Sequence, residues 1–172
     1  MTTLLLVRHG ETDWNAERRW QGHADVPLND RGRAQAHALA EELADERIDA
    51  IYTSDLSRAR ETAEIVAARI GVPVAVDADL RELDVGPLEG LTTEEAKEFA
   101  GWQGEPTEAH ANRILAALRR VAALHEGGRV LVVTHGGSMR RVHEHLEVDH
   151  APVGNCVVWR CAHEHGTLRA IG

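Results

Sequence analysis

Two segments of this chain, Leu4-Leu5-Leu6-Val7 and Val130-Leu131-Val132-Val133, are unbroken aliphatic runs of strand length. A strand with one wet face alternates apolar and polar residues, whereas a run without alternation is covered on both faces. These two segments therefore belong inside a sheet that carries helices above and below. The stretches around them supply those helices. Asn29-Asp30-Arg31-Gly32 offers a helix start, and Ala34, Ala36, Leu39, Ala40, Leu43 and Ala44 then lay down a helical apolar stripe. Residues 48–52 read as a second strand, with Ser54 or Asp55 capping a helix that runs to Ile70 and stops at Gly71.

Residues 72–76 read as a third strand with Pro73 near its start, and residues 80–90 as a loop punctuated by Gly86-Pro87 and Gly90. A short helix is expected over residues 93–100 and a break over 101–106. A longer helix over 107–126 carries Ile114, Leu118, Val121 and Ala122, and Gly127-Gly128 ends it. After the strand at 129–134, Gly137 or Ser138 opens another helix. Residues 156–161 and 167–171 read as a hairpin turning near His165-Gly166. Strands alternating with helices predict a single-domain three-layer α/β/α sandwich with a mostly parallel central sheet, spanning residues 1–172. At 172 residues and 43% apolar content the chain has enough to fill one core. With four Trp, one Tyr and one Phe, that core is mainly aliphatic.

Charge narrows the partners. Nineteen Lys and Arg against 28 Asp and Glu leave a formal net charge of -9, which argues against nucleic-acid or anionic-membrane binding. A small anion can still be held if the few cations are concentrated in one place, so the position of the arginines decides what such a chain can bind. The apolar start lacks a basic leader and is interrupted by Arg8, and no segment has the ~18 apolar residues of a membrane span. Cys156 and Cys161 stand five positions apart in an expected strand and would face opposite ways, which disfavours a local disulfide. Free thiols fit a reducing compartment, and a cytoplasmic location is expected.

In an open α/β sheet the working groups gather beyond the carboxyl ends of the strands. The first strand delivers Arg8-His9-Gly10-Glu11-Thr12; the second delivers Thr53-Ser54-Asp55 with Arg58 and Arg60 in the following turn; the run at 130–133 delivers Thr134-His135-Gly136-Gly137. Two histidines, each followed by glycine, and two arginine-bearing segments thus arrive at one edge. Guanidinium groups match phosphate oxygens in bidentate fashion and stay charged at working pH. A neutral imidazole is an available nucleophile near neutrality. One histidine can attack phosphorus while the other, protonated, stabilises the transferring group. The leaving alkoxide still needs a proton, for which Glu82 in Arg81-Glu82-Leu83-Asp84 is the candidate, with Glu11 and Glu89 behind it.

The same residues carry a family resemblance. Leu6-Val7-Arg8-His9-Gly10-Glu11-Thr12 resembles the first motif of the histidine phosphatase superfamily, the phosphoglycerate mutase-like proteins. Asn15, Gly22 and Pro27-Leu28-Asn29 with Gly32 resemble its phosphate loop and following turn. The segment from Ser54 to Ala63 resembles its second arginine segment, Leu80-Arg81-Glu82-Leu83-Asp84 with Gly86 and Glu89-Gly90 its acid loop, and Val133-Thr134-His135-Gly136-Gly137 its second histidine. The five segments keep the family order. The resemblance implies a histidine acid-type phosphatase in which His9 is transiently phosphorylated, Arg8, Arg58 and His135 cradle the phosphoryl group, and Glu82 donates the proton. It implies that Asn15 contacts phosphate or substrate, with Thr12 and Gly136 adding secondary contacts, and it implies no metal and no cofactor.

Residues 91–129 are short beside the basic substrate lid of larger relatives, and Gly104-Glu105-Pro106 stands where Gly-Glu-Ser is common. Lys97, Arg113, Arg119 and Arg120 are the cations there. A mutase needs a closed basic pocket that keeps water from the phosphoenzyme, so hydrolysis of a small phosphorylated metabolite is the expected reaction. Phosphoglycerate mutase and a non-catalytic phosphate-binding regulatory module are the alternatives, and the acid loop is also similar to that of α-ribazole phosphatases. Arg60 reads as a surface cation pairing with Glu61 or Glu64. His143 and His145, two apart on a helix, do not face one way, and His163 and His165 read as solvated turn residues. Trp14 and Trp20 either line the pocket mouth or fasten the loop to the core. Gly136-Gly137-Ser138-Met139-Arg140 lacks the last glycine of a serine-hydrolase elbow. The hairpin edge is the surface through which a homodimer can form.

Overall fold

The structure, a computed structural model, describes residues 1–99, 101–149 and 153–171. In chain order its elements are β1 (Thr2–Arg8), α1 (Asp13–Ala16), α2 (Asp30–Glu42), β2 (Ala50–Thr53), α3 (Ser57–Ile70) and β3 (Val74–Val76). They continue with α4 (Thr93–Ala96), α5 (Thr107–Leu124), β4 (Arg129–Thr134), α6 (Gly136–His145), β5 (Val158–Glu164) and β6 (Thr167–Ala170). The strands form one sheet in the order β3-β2-β4-β1-β5-β6. The first four are mutually parallel, and the hairpin β5-β6 adds antiparallel to β1.

The aliphatic runs do what their composition requires. Leu4, Leu6, Val130 and Val132 join one core with α5 and α6, while Leu5, Val7, Leu131 and Val133 join the other with α2 and α3. All eight are 0% exposed. Successive side chains of a strand point to opposite faces, so an all-apolar strand feeds both cores at once. The chain winds from β1 outward to β3 with α2 and α3 on one face, then returns to β4 with α5 on the other. Right-handed crossovers place helices on opposite faces when the direction of travel reverses. Cys161 sits in the first core and Cys156 against the second, so the two free thiols are held on opposite sides of the sheet. Burial pushes both up to about 12.

Several boundaries differ from the sequence reading. Neither Ser54 nor Asp55 caps α3. Ser54 is committed to His135, Asp55 to Arg81, and the free N–H of Ser57 is met by Asp25 Oδ1 at 2.7 Å from another loop. Long-range partners here outcompete the local cap. The third strand is three residues long, the loop at 80–90 contains a 3-10 turn over Gly86–Leu88, and a second such turn over Ala78–Leu80 precedes it. The helix expected over 93–100 ends at Ala96, and residue 100 lies outside the described residues. Asn29 caps α2 as expected, accepting from the Gly32 N–H at 2.8 Å. Gly71 ends α3 in the left-handed region at φ 76°.

The loop after β1 lies backbone to backbone on the first turn of α2. A Cβ at Gly32 would collide with the Glu11 carbonyl, nitrogen and carbon, none of which is a flexible side-chain end. Gly32→Ala is therefore expected to cost roughly 3 kcal/mol, because overpacking against backbone has no cheap relaxation. At about 2–4 °C per kcal/mol for a chain of this size, that lowers the thermal midpoint by ~6–12 °C. A shift below ~2 °C by calorimetry would refute the tight packing.

Candidate active site

Register brings the two histidines together. β1 and β4 pair in parallel with Arg8 opposite Thr134, so His9 and His135 leave the sheet side by side, and the His9 N–H donates to the Thr134 carbonyl at 3.0 Å. β2 flanks β4 with Thr53 opposite Val133, which brings Ser54 to the same edge. The imidazoles meet edge to face with centroids 5.2 Å apart, and both rings are buried.

Their hydrogen bonds set their proton positions. His9 Nδ1 lies 2.7 Å from the Gly10 carbonyl. A carbonyl only accepts, so Nδ1 carries the hydrogen and Nε2 keeps its lone pair. Burial, with Arg58 and Arg8 nearby, holds His9 well below the usual imidazole value. The same forces act on His135, where burial leads and Arg58 follows. The sequence reading had His135 protonated; in the free pocket burial and the arginines keep it neutral. Its Nε2 is 2.8 Å from Ser54 Oγ, and its buried Nδ1 has no hydrogen-bond partner among the described residues.

Arg58, near the start of α3, is 0% exposed and meets no carboxylate among the described residues. Its Nη1 and Nη2 donate to the Ala24 and Gly22 carbonyls at 2.7 and 2.8 Å, and its buried Nε has no partner among the described residues. Burial lowers its pKa to about 10, which leaves it cationic at neutral pH. Arg8, at the end of β1, is arranged similarly: Nη1 donates to the Val153 carbonyl at 2.9 Å and the buried Nε has no partner among the described residues. A buried guanidinium without a counterion is costly unless an anion completes it. Arg58, fully buried, and Arg8, part-buried, beside a neutral imidazole make a pocket suited to an anion.

Glu82 lines the same pocket at the first turn of α6. Its carboxylate accepts from the Leu83 N–H and the Gly137 N–H, each at 2.8 Å. Gly137 is needed for that approach, because a Cβ there would run into the Glu82 carboxylate. The acid loop is held from behind by Arg113 on α5. Arg113 donates to the carbonyls of Asp79, Arg81 and Glu82 at 2.8, 3.1 and 3.2 Å and pairs with Glu105 at 2.7 Å. His23 Nε2 donates to the Glu82 carbonyl at 2.9 Å from the opposite side.

A cavity of roughly 810 Å³ opens over these groups. Arg8, His9, Asn15, Arg58, Glu82 and Gly136 of the expected site line it, and His135 stands directly behind His9. Thr12 does not reach it. Thr12 is 0% exposed, caps α1 by accepting from the Asn15 N–H at 3.1 Å, and donates to Gln21 at 2.9 Å, so its hydroxyl is spent on the loop. Glu82 lines the cavity, whereas Glu11, which serves Asn29 and Arg31, and Glu89, which accepts from the His23 and Ala24 N–H groups, are not among its lining residues. Trp14 and Trp20 line the mouth, and Trp102 joins them. Arg60 pairs with Glu64 at 3.1 Å, as its surface position implies.

Sequence reading missed four contributors. Ser54 looked like a cap and instead orients His135. Arg113 looked like a loose lid cation and instead holds the acid loop. Arg140 was noticed only within a failed hydrolase motif, yet lines the cavity. His110 is buried and also lines it, donating from Nε2 to Ser138, whose hydroxyl donates on to the Arg81 carbonyl. Its signal was available, since His110 falls in step with Ile114 and Leu118 on the buried face of α5.

Known proteins resemble this chain along most of its length. A sequence profile described as the histidine phosphatase superfamily (branch 1) matches residues 4–169. Phosphoglycerate mutase-like protein 4 of Arabidopsis thaliana is 45% identical over 159 residues, covering 82% of this chain and 69% of that protein. The metal-independent phosphoserine phosphatase of the same plant is 41% identical over 161 residues, covering 83% of this chain and 68% of that protein. Among solved structures, Bacillus stearothermophilus YhfR superposes with a TM-score of 0.90 at 34% identity, covering 99% of this chain and 95% of its own.

Proposed function

Given that the chain belongs to the histidine phosphatase superfamily (branch 1), we propose that it is a metal-independent phosphomonoesterase acting on small phosphorylated metabolites through a phosphohistidine at His9. One observation carries the reading: a buried, neutral imidazole with a free Nε2 lone pair stands near two guanidinium groups that meet no carboxylate among the described residues. That arrangement is complementary to a phosphoryl group and to its attack by nitrogen.

In this reading Nε2 of His9 attacks phosphorus in line with the ester oxygen. Arg8 and Arg58 hold the equatorial oxygens as charge redistributes, and His135 adds a hydrogen bond. The P–O ester bond breaks as the P–N bond forms, and the leaving alkoxide takes its proton from Glu82. Water then attacks the phosphohistidine, Glu82 recovers a proton from it, the P–N bond breaks and inorganic phosphate leaves. Guanidinium groups supply the positive charge that a metal supplies in other phosphatases, so no step requires one.

Hydrolysis is favoured over transfer because the lid cations are engaged elsewhere. Lys97 pairs with Glu94, Arg113 with Glu105 and Arg120 with Asp77, while Arg119 contacts His145. None of these four lines the cavity. The mutase reading is supported by the names of the 45% identical relative and of several bacterial relatives at 41–43% identity, and the phosphatase reading by that of the 41% identical plant relative. With 3-phosphoglycerate as substrate, phosphate release is expected to exceed isomerisation and to be unaffected by a chelator. Isomerisation faster than phosphate release would overturn the hydrolase reading, and loss of activity with the chelator would overturn metal independence.

A further inference from the structure

The hairpin β5-β6 joins the sheet beside β1, and the segment that leads into it crosses the end of that strand. β5 runs antiparallel to β1 with Val158 opposite Val7, so residues 153–156 pass along Arg8 and His9. Three hydrogen bonds tie the segment to those two residues. Arg8 Nη1 donates to the Val153 carbonyl at 2.9 Å, the Cys156 N–H donates to the Arg8 carbonyl at 2.8 Å, and Asn155 Nδ2 donates to the His9 carbonyl at 2.8 Å. The backbone bends beside Asn155, where Cys156 is left-handed at φ 55°, an uncommon and mildly strained conformation for a residue with a Cβ.

The direction of the Asn155 amide is set by its surroundings. Its Nδ2 meets two oxygens, the His9 carbonyl and Asn15 Oδ1, the latter at 3.5 Å. Asn15 Oδ1 is itself marked as the acceptor end by the Thr12 N–H at 3.2 Å. Reversed, the Asn155 amide would turn an oxygen toward two acceptors.

The bond reaches the imidazole through one peptide unit. The His9 carbonyl and the Gly10 N–H lie in the same rigid plane. Each end of that plane is held, the carbonyl by Asn155 and the N–H by Thr62 Oγ1 at 3.0 Å. Thr62 is fixed in turn by donating to the Arg58 carbonyl at 2.7 Å. The next acceptor along the chain is the Gly10 carbonyl, which takes the Nδ1 hydrogen of His9 and leaves Nε2 bare. Glycine has no Cβ to restrict its dihedrals, so the direction of the Gly10 carbonyl follows the plane before it.

We propose that Asn155 is a positioning residue for His9: holding the His9–Gly10 peptide at its carbonyl end, it keeps the imidazole in the tautomer whose Nε2 lone pair is free. That this lone pair attacks phosphorus rests on the phosphohistidine reading; that Asn155 sets the tautomer does not. The ring 15N shifts of histidine-labelled protein at neutral pH test it, with the His9 signals assigned by their loss in His9→Ala. The parent should carry the His9 hydrogen on Nδ1 alone. In Asn155→Ala, and in Asn155→Leu, which keeps bulk without a donor, the shifts should move toward a mixture in which the Nε2–H form is populated. Phosphate release by both variants should fall about 10- to 100-fold, through kcat rather than KM, as for a nucleophile displaced by a fraction of an ångström.

A residue that merely fastened the hairpin would lower the thermal midpoint and leave the tautomer of the folded protein unchanged. His9 shifts in the two variants that match those of the parent would therefore overturn the proposal, whatever happens to stability or rate. So would shifts that move with Ala and return with Leu, since bulk would then be the cause, and so would loss of the fold in both. Tautomer mixing in the variants of a protein that releases no phosphate from any monoester would uphold the positioning role and overturn the hydrolase reading instead.

Discussion

His9→Ala is expected to lower phosphate release by about four orders of magnitude or more on every monoester, whatever its leaving group, because the nucleophile itself is removed. The fold should survive. The loop that carries His9 is held by its own backbone: the Gly10 N–H donates to Thr62 Oγ1 at 3.0 Å and the His9 carbonyl accepts from Asn155 Nδ2 at 2.8 Å. Circular dichroism and thermal melting of the variant should therefore resemble those of the parent.

The parent, quenched in alkali during turnover of a 32P-labelled monoester, should carry an acid-labile, alkali-stable label that the variant lacks. Activity persisting in the variant would remove His9 as the nucleophile. The electrostatics add a check. At pH 5.5 a free imidazole of pKa ~6.5 is largely cationic. Burial and two guanidinium groups hold His9 and His135 well below that value, so their ring 15N shifts should still report neutral imidazole, with the hydrogen of His9 on Nδ1. The sign follows from the direction of the shift: a depressed imidazole pKa extends the reactive neutral form toward acid.

Glu82→Gln is expected to slow hydrolysis of alkyl phosphates by ~10²–10⁴-fold while slowing a nitrophenyl phosphate less than ~10-fold. An alkoxide cannot leave without a proton, whereas nitrophenolate can. The substitution also has a structural cost. Both carboxylate oxygens accept backbone N–H bonds, and the amide of Gln presents a nitrogen to one of them, so the acid loop loses one attachment. That loss is blind to the leaving group, so the contrast between the two substrate classes isolates proton donation from geometry. Comparable losses on both would mean that Glu82 is a loop anchor and that the proton comes from elsewhere.

Much of this is legible in the amino-acid sequence. The doubly covered strands follow from Leu4-Leu5-Leu6-Val7 and Val130-Leu131-Val132-Val133, because unbroken aliphatic side chains must find partners on both sides. The two histidines and Arg58 were legible from the residues that follow each strand. The failures were of one kind. Ser54 and Asp55 have the chemistry of helix caps, and local preference cannot reveal that His135 and Arg81 bid for them from 81 and 26 residues away. Thr12 was assigned to substrate by its place in a motif, yet a hydroxyl has few bonds to give, and the cap and Gln21 take them.

Net charge was misleading until the ion pairs were located. A total of -9 describes a surface on which most cations are neutralised one by one, leaving unpaired charge where the cavity is. Sequence alone determined the fold class and marked out the candidate reacting groups, because these depend on side-chain type and on order along the strands. Tertiary structure decided the proton positions on the histidines, the hold of Arg113 on the acid loop and which arginines remain free. Those depend on distances between residues far apart in the chain, set only when β1 and β4 lie in register.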